Sequence, residues 1–309
     1  DHAPAPWQLG GCTWHPVERS FLASWSEGGF GRLTLGDDDF TGDYSRFRHL
    51  ALDAQFIYCI AASPISPSAV IAIDRSTRSV QVLAGGVAPL PAQRISRPQT
   101  LRYPSGSGEA HGFFYPAMND EAQPPLVVFI HGGPTSACYP VFDPRIAFWT
   151  LRGYAVLDLN YRGSSGYGRD YRLRLAGQWG ELEVQDIRAA IEALAEAGRI
   201  DLQRVFARGG SAGGFSALRA LVELPLLRGG ASLYGVSDPL ALRRLTHKFE
   251  ADYLDWLIGD PEQDAERYRE RTPLLQAERI MAPVIFFQGA LDAVVVPSQT
   301  EVMVEALRQ

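Results

Sequence analysis

The chain is 309 residues long, with 46% apolar, 11% aromatic and 21% charged residues. This apolar content excludes an intrinsically disordered protein, and the absence of a matching repeat excludes collagen-like and coiled-coil classes. The length suggests about two domains, each able to bury a core of its own.

The charge pattern argues against nucleic acids and membrane surfaces as partners. Lysine and arginine total 29 against 35 acidic residues, which gives a net charge of −6, and no block of five like charges occurs. No apolar run is long enough to span a bilayer, and residues 1–7 lack the basic start and apolar stretch of a signal peptide. We therefore expect a cytoplasmic protein with no nucleic-acid or membrane partner, and homo-oligomerisation is left open.

The three cysteines, Cys12, Cys59 and Cys138, are widely spaced and form no CxxC pair. An odd number at this spacing argues against a disulfide framework and against a zinc site. We therefore expect no metal and no cofactor.

Residues 10–86 are predicted to form an antiparallel all-β region. Short runs rich in β-branched and aromatic residues alternate with turn signals, at 21–25, 30–35, 49–52, 56–62, 69–74 and 80–83. Residues 72–80 are typical of the outer hairpin of a β-propeller blade, and at ~40–45 residues per blade the region holds about two blades. A small free-standing β-sandwich is the alternative.

After a proline-rich linker at 89–98, the pattern changes to buried strands that alternate with helices. A hairpin (100–103 and 112–116) precedes the unbroken apolar run 126–130, which is typical of a strand buried on both faces. Similar runs follow at 155–159, 205–207, 231–234 and 284–287, and residues 182–197 have a helical pattern. The alternation predicts a doubly wound, mostly parallel α/β sheet. We expect two domains, residues 1–95 and 96–309.

Gly209, Ser211 and Gly213 match the pattern G-x-S-x-G between a predicted strand and a predicted helix. This pattern places a serine on a tight strand-to-helix turn with its hydroxyl exposed above the sheet. The following helix directs its N-terminus at the position where negative charge would develop. Ser211 is therefore the predicted nucleophile. A glycine-rich turn that binds nothing is the alternative, and no lysine follows as in a phosphate-binding loop.

Residues 131–134 (HGGP) directly follow the apolar strand 126–130. In hydrolases built on such a sheet, this loop supplies one oxyanion donor and the amide after the nucleophile supplies the other. The predicted donors are the N–H groups of Gly133 and Ala212. We expect His131, at the end of the strand, to make structural hydrogen bonds rather than act as the base.

Asp292 follows the buried run 284–287, on the edge of the sheet where parallel sheets place their sites. Its place after Ser211 agrees with the chain order Ser…Asp…His. Its predicted role is to orient a histidine and to stabilise the imidazolium. A solvated turn aspartate is the alternative.

Four motifs together resemble the catalytic domain of prolyl oligopeptidase-family serine peptidases, and the acylaminoacyl-peptidase and dipeptidyl-aminopeptidase branch is the most similar. They are residues 131–134 (HGGP), 160–168 (NYRGSSGYG), 209–214 (GGSAGG), and Gln288-Gly289 with Asp292 and Pro297. The resemblance runs from about residue 100 to the end of the chain. It implies an α/β-hydrolase domain preceded by part of a β-propeller, which in this family limits access so that only peptides reach the serine.

The resemblance also implies a histidine after Asp292, but none of the six histidines follows it before Gln309. We favour the interpretation that the sequence is part of a longer enzyme, cut before the last strand of its catalytic domain, with the histidine beyond Gln309. The competing interpretation is a catalytically silent relative.

The function implied by the resemblance is hydrolysis of short peptides through an acyl-enzyme on Ser211, as an aminopeptidase, dipeptidyl-peptidase or acylaminoacyl-peptidase. Phe215, Tyr234 and Val236 follow the elbow or the next strand and are predicted to line the pocket for the residue before the scissile bond. Core packing is the alternative for each. An esterase or lipase-like acyl hydrolase, or a non-catalytic binding protein, remains an alternative function, because one elbow serves several chemistries.

Overall fold

Two small antiparallel sheets precede a larger sheet in the computed structural model, which describes residues 11–245 and 252–309. The first small sheet contains β1 (Trp14–Val17), β2 (Ser20–Glu27), β3 (Phe30–Leu35) and β4 (Asp38–Asp39). The second contains β5 (Arg46–Leu52), β6 (Phe56–Ala62), β7 (Ala69–Asp74) and β8 (Val80–Gly85). In both sheets the strands pair in chain order.

The two small sheets share one apolar core. Leu22 and Leu33 of the first sheet cluster with Ile57 and Ile71 of the second, and all four side chains are fully buried. They come from alternating positions of their strands, because successive side chains of a strand point to opposite faces. The predicted all-β region is therefore present over the described part of residues 10–86.

The large sheet has seven strands in the order β15-β14-β13-β11-β12-β10-β9. The strands are β9 (Gln99–Ser105), β10 (Gly108–Tyr115), β11 (Leu126–Ile130), β12 (Ala155–Asn160), β13 (Val205–Gly210), β14 (Leu227–Leu233) and β15 (Val284–Phe287). The five strands β11 to β15 are mutually parallel, and the β9–β10 hairpin joins β12 antiparallel. The predicted mostly parallel α/β sheet is confirmed.

Helices cover both faces of this sheet, as the buried strands require. They are α1 (Pro144–Thr150), α2 (Arg169–Leu173), α3 (Leu182–Glu196), α4 (Ala212–Glu223), α5 (Pro239–Leu245), α6 (Tyr253–Leu257), α7 (Ala265–Arg271) and α8 (Ser298–Arg308), with 3-10 turns at Ala92–Arg94 and Pro273–Arg279. The larger core packs α3 and α4 on one face, and a smaller core packs α1 on the other. Within the described ranges, no helix has both the length and the apolar character that crossing a bilayer requires.

Strand β14 differs from its prediction at both ends. It begins at Leu227 rather than at residue 231, because Gly229 and Gly230 continue the strand instead of forming a turn. A Cβ on Gly230 would collide with Leu221 of α4, so the glycine allows that helix to pack closely. Tyr234 lies beyond the strand, with a φ of +40°.

Residues that flank strands of the second small sheet contact the loop between β11 and α1. The Ser45 hydroxyl donates to the Pro140 carbonyl over 2.6 Å, and the Phe142 N–H donates to the Ser63 carbonyl over 2.7 Å. This loop begins with the HGGP segment, so the β-rich region lies against the predicted site.

Candidate active site

Ser211 occupies a sharp turn between β13 and α4. Its φ is +55° and its ψ is −125°, a conformation that costs a non-glycine residue about 1–3 kcal/mol. The turn is held by a hydrogen bond of 3.0 Å from the Ser211 N–H to the Leu233 carbonyl. The strain aims the side chain away from the sheet, and Ser211 lines a cavity there.

The glycines around Ser211 are required by close backbone packing. A Cβ on Gly213 would collide with the Ile130 carbonyl, and one on Gly209 would collide with the Gly213 carbonyl. A Cβ on Gly214 would lie 2.6 Å from the Gly235 Cα. The glycines of the G-x-S-x-G pattern are therefore needed because three backbone segments pack closely at this turn.

The HGGP loop lies directly beside the serine. A Cβ on Gly132 would be 3.4 Å from the Ser211 Cβ and 3.7 Å from the Ala212 nitrogen. Gly133 has a φ of +114°, which side-chain-bearing residues rarely adopt. Gly133 and Ala212 line the same cavity as Ser211. Both predicted oxyanion donors thus border the cavity that the predicted nucleophile lines.

Residues of the 160–168 motif support the HGGP loop, a role that the sequence did not indicate. The Tyr161 hydroxyl donates to the Pro134 carbonyl over 2.6 Å, and the Ser165 hydroxyl donates to the Thr135 carbonyl over 2.6 Å. The Asn160 side chain bonds both the N–H and the carbonyl of Cys138, at 2.8 and 3.1 Å. These bonds fix the backbone of the loop that contains Gly133, and they therefore hold the Gly133 N–H in position.

His131 makes structural contacts, as expected. One ring nitrogen lies 2.8 Å from the Gly132 carbonyl and the other lies 2.7 Å from the Ser164 hydroxyl, while the ring stacks on Tyr161. Burial lowers the pKa of His131 to about 4. A neutral imidazole with both nitrogens engaged is a poor base for Ser211.

The remaining histidines do not supply a base within the described residues. His111 stacks on Tyr167 at 4.4 Å between ring centroids, His15 and His49 lie in the small sheets, and His2 and His247 lie outside the described residues.

Asp292 lies in the turn between β15 and α8. One carboxylate oxygen accepts hydrogen bonds from the N–H groups of Val294 (2.9 Å) and Val295 (3.0 Å). Val294 and Val295 both line the cavity of Ser211. The carboxylate is therefore oriented by its own loop, at the edge of the sheet where Ser211 lies.

The cavity has a volume of about 710 Å³ and is lined by two chemically different sets of residues. One set is apolar and contains Trp179, Val236, Leu254, Leu257 and Val295. The other set is charged and contains Arg46, Asp143, Arg145, Asp158 and Arg208. Ser211, Gly133 and Ala212 line the same cavity, so a substrate at the serine could contact residues of both sets.

Two of the three predicted pocket residues, Tyr234 and Val236, line this cavity, but the assignment of Phe215 to the pocket is wrong. Phe215 is fully buried beneath Trp179, with ring centroids 4.1 Å apart. It follows the elbow in sequence, but α4 turns its side chain into the core. Trp179 takes its place in the cavity wall.

The charged residues of the cavity lining were missed by the sequence reasoning. Asp158 and Arg208 each interrupt an apolar strand, β12 and β13, and a charge in a buried strand is the signal that marks them. Burial raises the pKa of Asp158 to about 7, and the neighbouring Asp143 adds to this shift. Over residues 11–245 and 252–309, no three His, Cys, Asp or Glu side chains are grouped so that they could hold a metal ion.

Comparisons with known proteins agree with this geometry. Dipeptidyl aminopeptidase BIII of Pseudoxanthomonas mexicana is 31% identical over 201 residues, which are 62% of this chain and 29% of that protein. The acylamino-acid-releasing enzyme of Rattus norvegicus is 39% identical over 184 residues, which are 56% of this chain and 25% of that protein.

A solved structure has a similar fold over nearly the whole chain. It is a Mycobacterium tuberculosis puromycin-hydrolyzing peptidase, with a TM-score of 0.93 and 36% identity over 99% of this chain and 49% of that one. This chain therefore spans about half of that structure and less than a third of either relative. The likeness assigns the seven-stranded sheet to the α/β-hydrolase fold.

The sequence profile described as the prolyl oligopeptidase family matches residues 140–309, more than half of the chain. That range contains the serine elbow and the Asp292 turn. The chain belongs to the prolyl oligopeptidase family.

Proposed function

We propose that this protein is a serine peptidase that hydrolyses short peptides through an acyl-enzyme on Ser211. The observation that carries the proposal is the strained elbow of Ser211, which opens into the same cavity as the Gly133 and Ala212 backbone. The names of the similar proteins add support, since one relative is a dipeptidyl aminopeptidase, the other is an acylamino-acid-releasing enzyme, and the similar structure is a puromycin-hydrolyzing peptidase.

In the proposed reaction the Ser211 oxygen attacks the scissile carbonyl and gives its proton to a histidine. The carbonyl oxygen becomes an oxyanion and accepts hydrogen bonds from the N–H groups of Gly133 and Ala212. Collapse of the tetrahedral intermediate breaks the C–N bond, and the histidine protonates the leaving amine. Water then attacks the ester carbonyl with the same histidine as base, which releases the acid and restores Ser211.

We propose Asp292 as the residue that orients this histidine, and we place the histidine beyond Gln309, as the family resemblance implies. Two observations support this assignment. The ring nitrogens of His131 are both engaged elsewhere, and the Asp292 carboxylate is held by two N–H groups beside the cavity.

We further propose that residues 1–95 contain about two blades of a β-propeller with its linker, and that residues 96–309 form the catalytic domain. The described part of the first range supports this division through its two four-stranded antiparallel sheets in chain order. Arg46 of the second sheet lines the catalytic cavity, so this region would restrict the size of peptides that enter.

Turnover of two substrate classes by the protein expressed from its complete reading frame tests the proposal. We expect an aminoacyl-arylamide with an apolar residue before the scissile bond to be hydrolysed, because apolar side chains such as Trp179 and Val236 line the cavity and can pack against that residue. Short acyl esters serve as the comparison, since the same elbow supports esterases. Turnover of esters alone would contradict the peptidase assignment.

A further inference from the structure

Glu183 is a fully buried residue that takes no part in the proposed reaction, although it lies close to the residues that do. It belongs to the first turn of α3, and a glutamate is almost never fully buried unless its carboxyl has partners. One carboxylate oxygen accepts hydrogen bonds from the Gly180 N–H over 2.8 Å and from the Ser216 hydroxyl over 3.0 Å. Gly180 follows Trp179 of the cavity wall, and Ser216 lies on α4, the helix that begins directly after the elbow.

The first turn of α4 lacks the usual stabilisation of a helix start. Ser211 occupies the position from which a serine side chain ordinarily caps a helix, but its side chain makes no capping hydrogen bond and lines the cavity instead. Gly213 and Gly214 follow Ala212 in this turn, and only proline is less favourable than glycine inside a helix. The turn that contains the Ala212 N–H therefore gains little from a cap or from helix propensity.

Ser216 connects this turn to Glu183. Its hydroxyl lies 3.1 Å from the Ala212 carbonyl, four residues earlier, and 3.0 Å from the Glu183 carboxylate. A hydroxyl has one proton to donate, so the two acceptors compete for it. A serine that donates to the carbonyl four residues earlier tends to bend its helix. By accepting the same proton, Glu183 opposes such a bend at the turn that contains the Ala212 N–H.

The position of Glu183 is itself fixed at the cavity wall. The Trp179 carbonyl accepts a hydrogen bond from the Arg271 Nη1 over 3.0 Å, and the Gly180 carbonyl accepts one from the Arg219 Nε over 3.1 Å. These bonds hold the segment whose Gly180 N–H donates to Glu183. The carboxyl therefore joins a fixed part of the cavity wall to the start of α4.

We propose that Glu183 is a positioning residue for the oxyanion hole, which acts through the Ser216 hydroxyl on the first turn of α4 and so holds the Ala212 N–H in place. This inference rests on the proposed peptidase function of Ser211. The oxyanion forms only as the reaction proceeds, so a displaced Ala212 N–H weakens binding of the transition state and leaves substrate binding nearly unchanged.

The test combines a double-mutant cycle with a variant that keeps the acceptor. Glu183→Ala, Ser216→Ala and the double variant are prepared in protein expressed from the complete reading frame, together with Glu183→Gln, which retains an acceptor oxygen. Ala-Phe-p-nitroanilide is the substrate. Ala-Phe trifluoromethyl ketone is the transition-state analogue, because its adduct with a serine has an oxyanion. Urea unfolding of each preparation separates a positioning effect from a loss of folded protein.

Thr41→Val is the matched control. Thr41 is buried, its hydroxyl accepts a hydrogen bond of 3.0 Å from the Leu33 N–H of the first small sheet, and it does not line the cavity. The variant therefore loses a buried polar contact of a similar kind away from the proposed site. We expect its urea midpoint to fall while kcat stays within about twofold of wild type, since distant sites act independently.

We expect Glu183→Ala to lower kcat about 10- to 100-fold and to leave KM within about threefold of wild type, the pattern of an interaction that matters in the transition state. The Ki of the ketone should rise by a similar factor. Ser216→Ala should lower kcat about 3- to 30-fold. The double variant should lose less than the product of the two single losses, because both changes break the same bond. Glu183→Gln should recover most of the loss.

An unchanged kcat in folded Glu183→Ala would overturn the inference, as would a fall in kcat without a rise in the Ki of the ketone. Equal losses in Glu183→Gln and Glu183→Ala would also overturn it, and so would single losses that multiply in the double variant. If Glu183→Ala does not fold, Ser216→Ala decides, and wild-type values of kcat and Ki in that variant contradict the inference. Wild-type protein without turnover and with an unlabelled Ser211 would instead contradict the proposed function.

Discussion

Ser211 has the conformation expected of a nucleophile elbow, and its strain has an identifiable support. The φ of +55° is maintained by the hydrogen bond to Leu233 and by glycine contacts that a single Cβ would disrupt. Strained residues of this kind persist only where the surrounding structure over-determines them. The elbow is therefore a property of three packed backbone segments rather than of the serine alone.

Gly133→Ala tests the oxyanion assignment. The φ of +114° at Gly133 is unfavourable for alanine, so the N–H should rotate away from the scissile carbonyl oxygen. We expect kcat to fall roughly 10²- to 10³-fold, the effect of losing one oxyanion donor. Stability should fall by only about 1–3 kcal/mol. Steady-state kinetics and urea unfolding on the same preparation measure both quantities.

Gly42→Ala is the matched control for that variant. Gly42 also has a positive φ, +54°, with open space around its Cβ position, and it lies in the β-rich region. We expect a similar stability loss with unchanged kcat. If the kcat of Gly133→Ala is close to that of wild type, the Gly133 N–H does not stabilise the oxyanion.

At the residue scale, sequence reasoning succeeded where function depends on backbone geometry. The glycine pattern specified the elbow and the HGGP loop, since few other residues tolerate those contacts. It failed for Phe215 and for Arg208, because the direction of a side chain depends on the helix and sheet packed around it. Arg208 lines the cavity beside its register partner Phe129 of β11, which in turn pairs with Asp158 of β12.

At the scale of elements, the loop after β12 is held by a buried charge network. Asp186 of α3 is fully buried and accepts hydrogen bonds from the Ser105 hydroxyl (2.6 Å), the Arg162 N–H (2.7 Å) and the Arg162 Nε (2.8 Å). These bonds join the β9–β10 hairpin, the loop and α3. The same loop carries Tyr161 and Ser165, which fix the HGGP segment.

Asp186→Ala should therefore reduce stability strongly. Removing one partner leaves the buried Arg162 guanidinium uncompensated, at a cost of about 3–5 kcal/mol. The double variant Arg162→Met with Asp186→Leu should lose less, because no buried charge remains. Urea unfolding measures both. Glu192→Ala, at an exposed position of the same helix, is the control and should stay within about 0.5 kcal/mol of wild type. An Asp186→Ala variant with the same free energy of unfolding as Glu192→Ala would show that the network does not stabilise the fold.

The order of the elements was predictable because long apolar runs and helical periodicity are strong local signals. Strands 126–130 and 284–287 were located at their observed bounds. Strand β14 was placed too late, since Gly229 and Gly230 resemble a turn until α4 is packed against them. The short helix α7 carries too few turns for a clear period, and the sequence did not indicate it.

At the scale of the whole molecule, the catalytic cavity is shared between two regions. Most of its wall comes from loops at the carboxyl ends of the parallel strands, and Arg46 comes from the second small sheet. Arg46 stacks over Tyr139, 3.6 Å from the ring centroid. This contact could not be predicted from the sequence, because it depends on how two regions distant along the chain pack together.

The central claim is that Ser211 is the nucleophile of a serine peptidase, and covalent labelling tests it most directly. Protein expressed from its complete reading frame is treated with a fluorophosphonate probe, and the adduct is located by peptide mass spectrometry. We predict a single adduct on Ser211 and no labelling of Ser211→Ala, which should remain folded because alanine is the smaller residue at that position. An adduct on another serine, no adduct at all, or labelling that survives Ser211→Ala would contradict the claim.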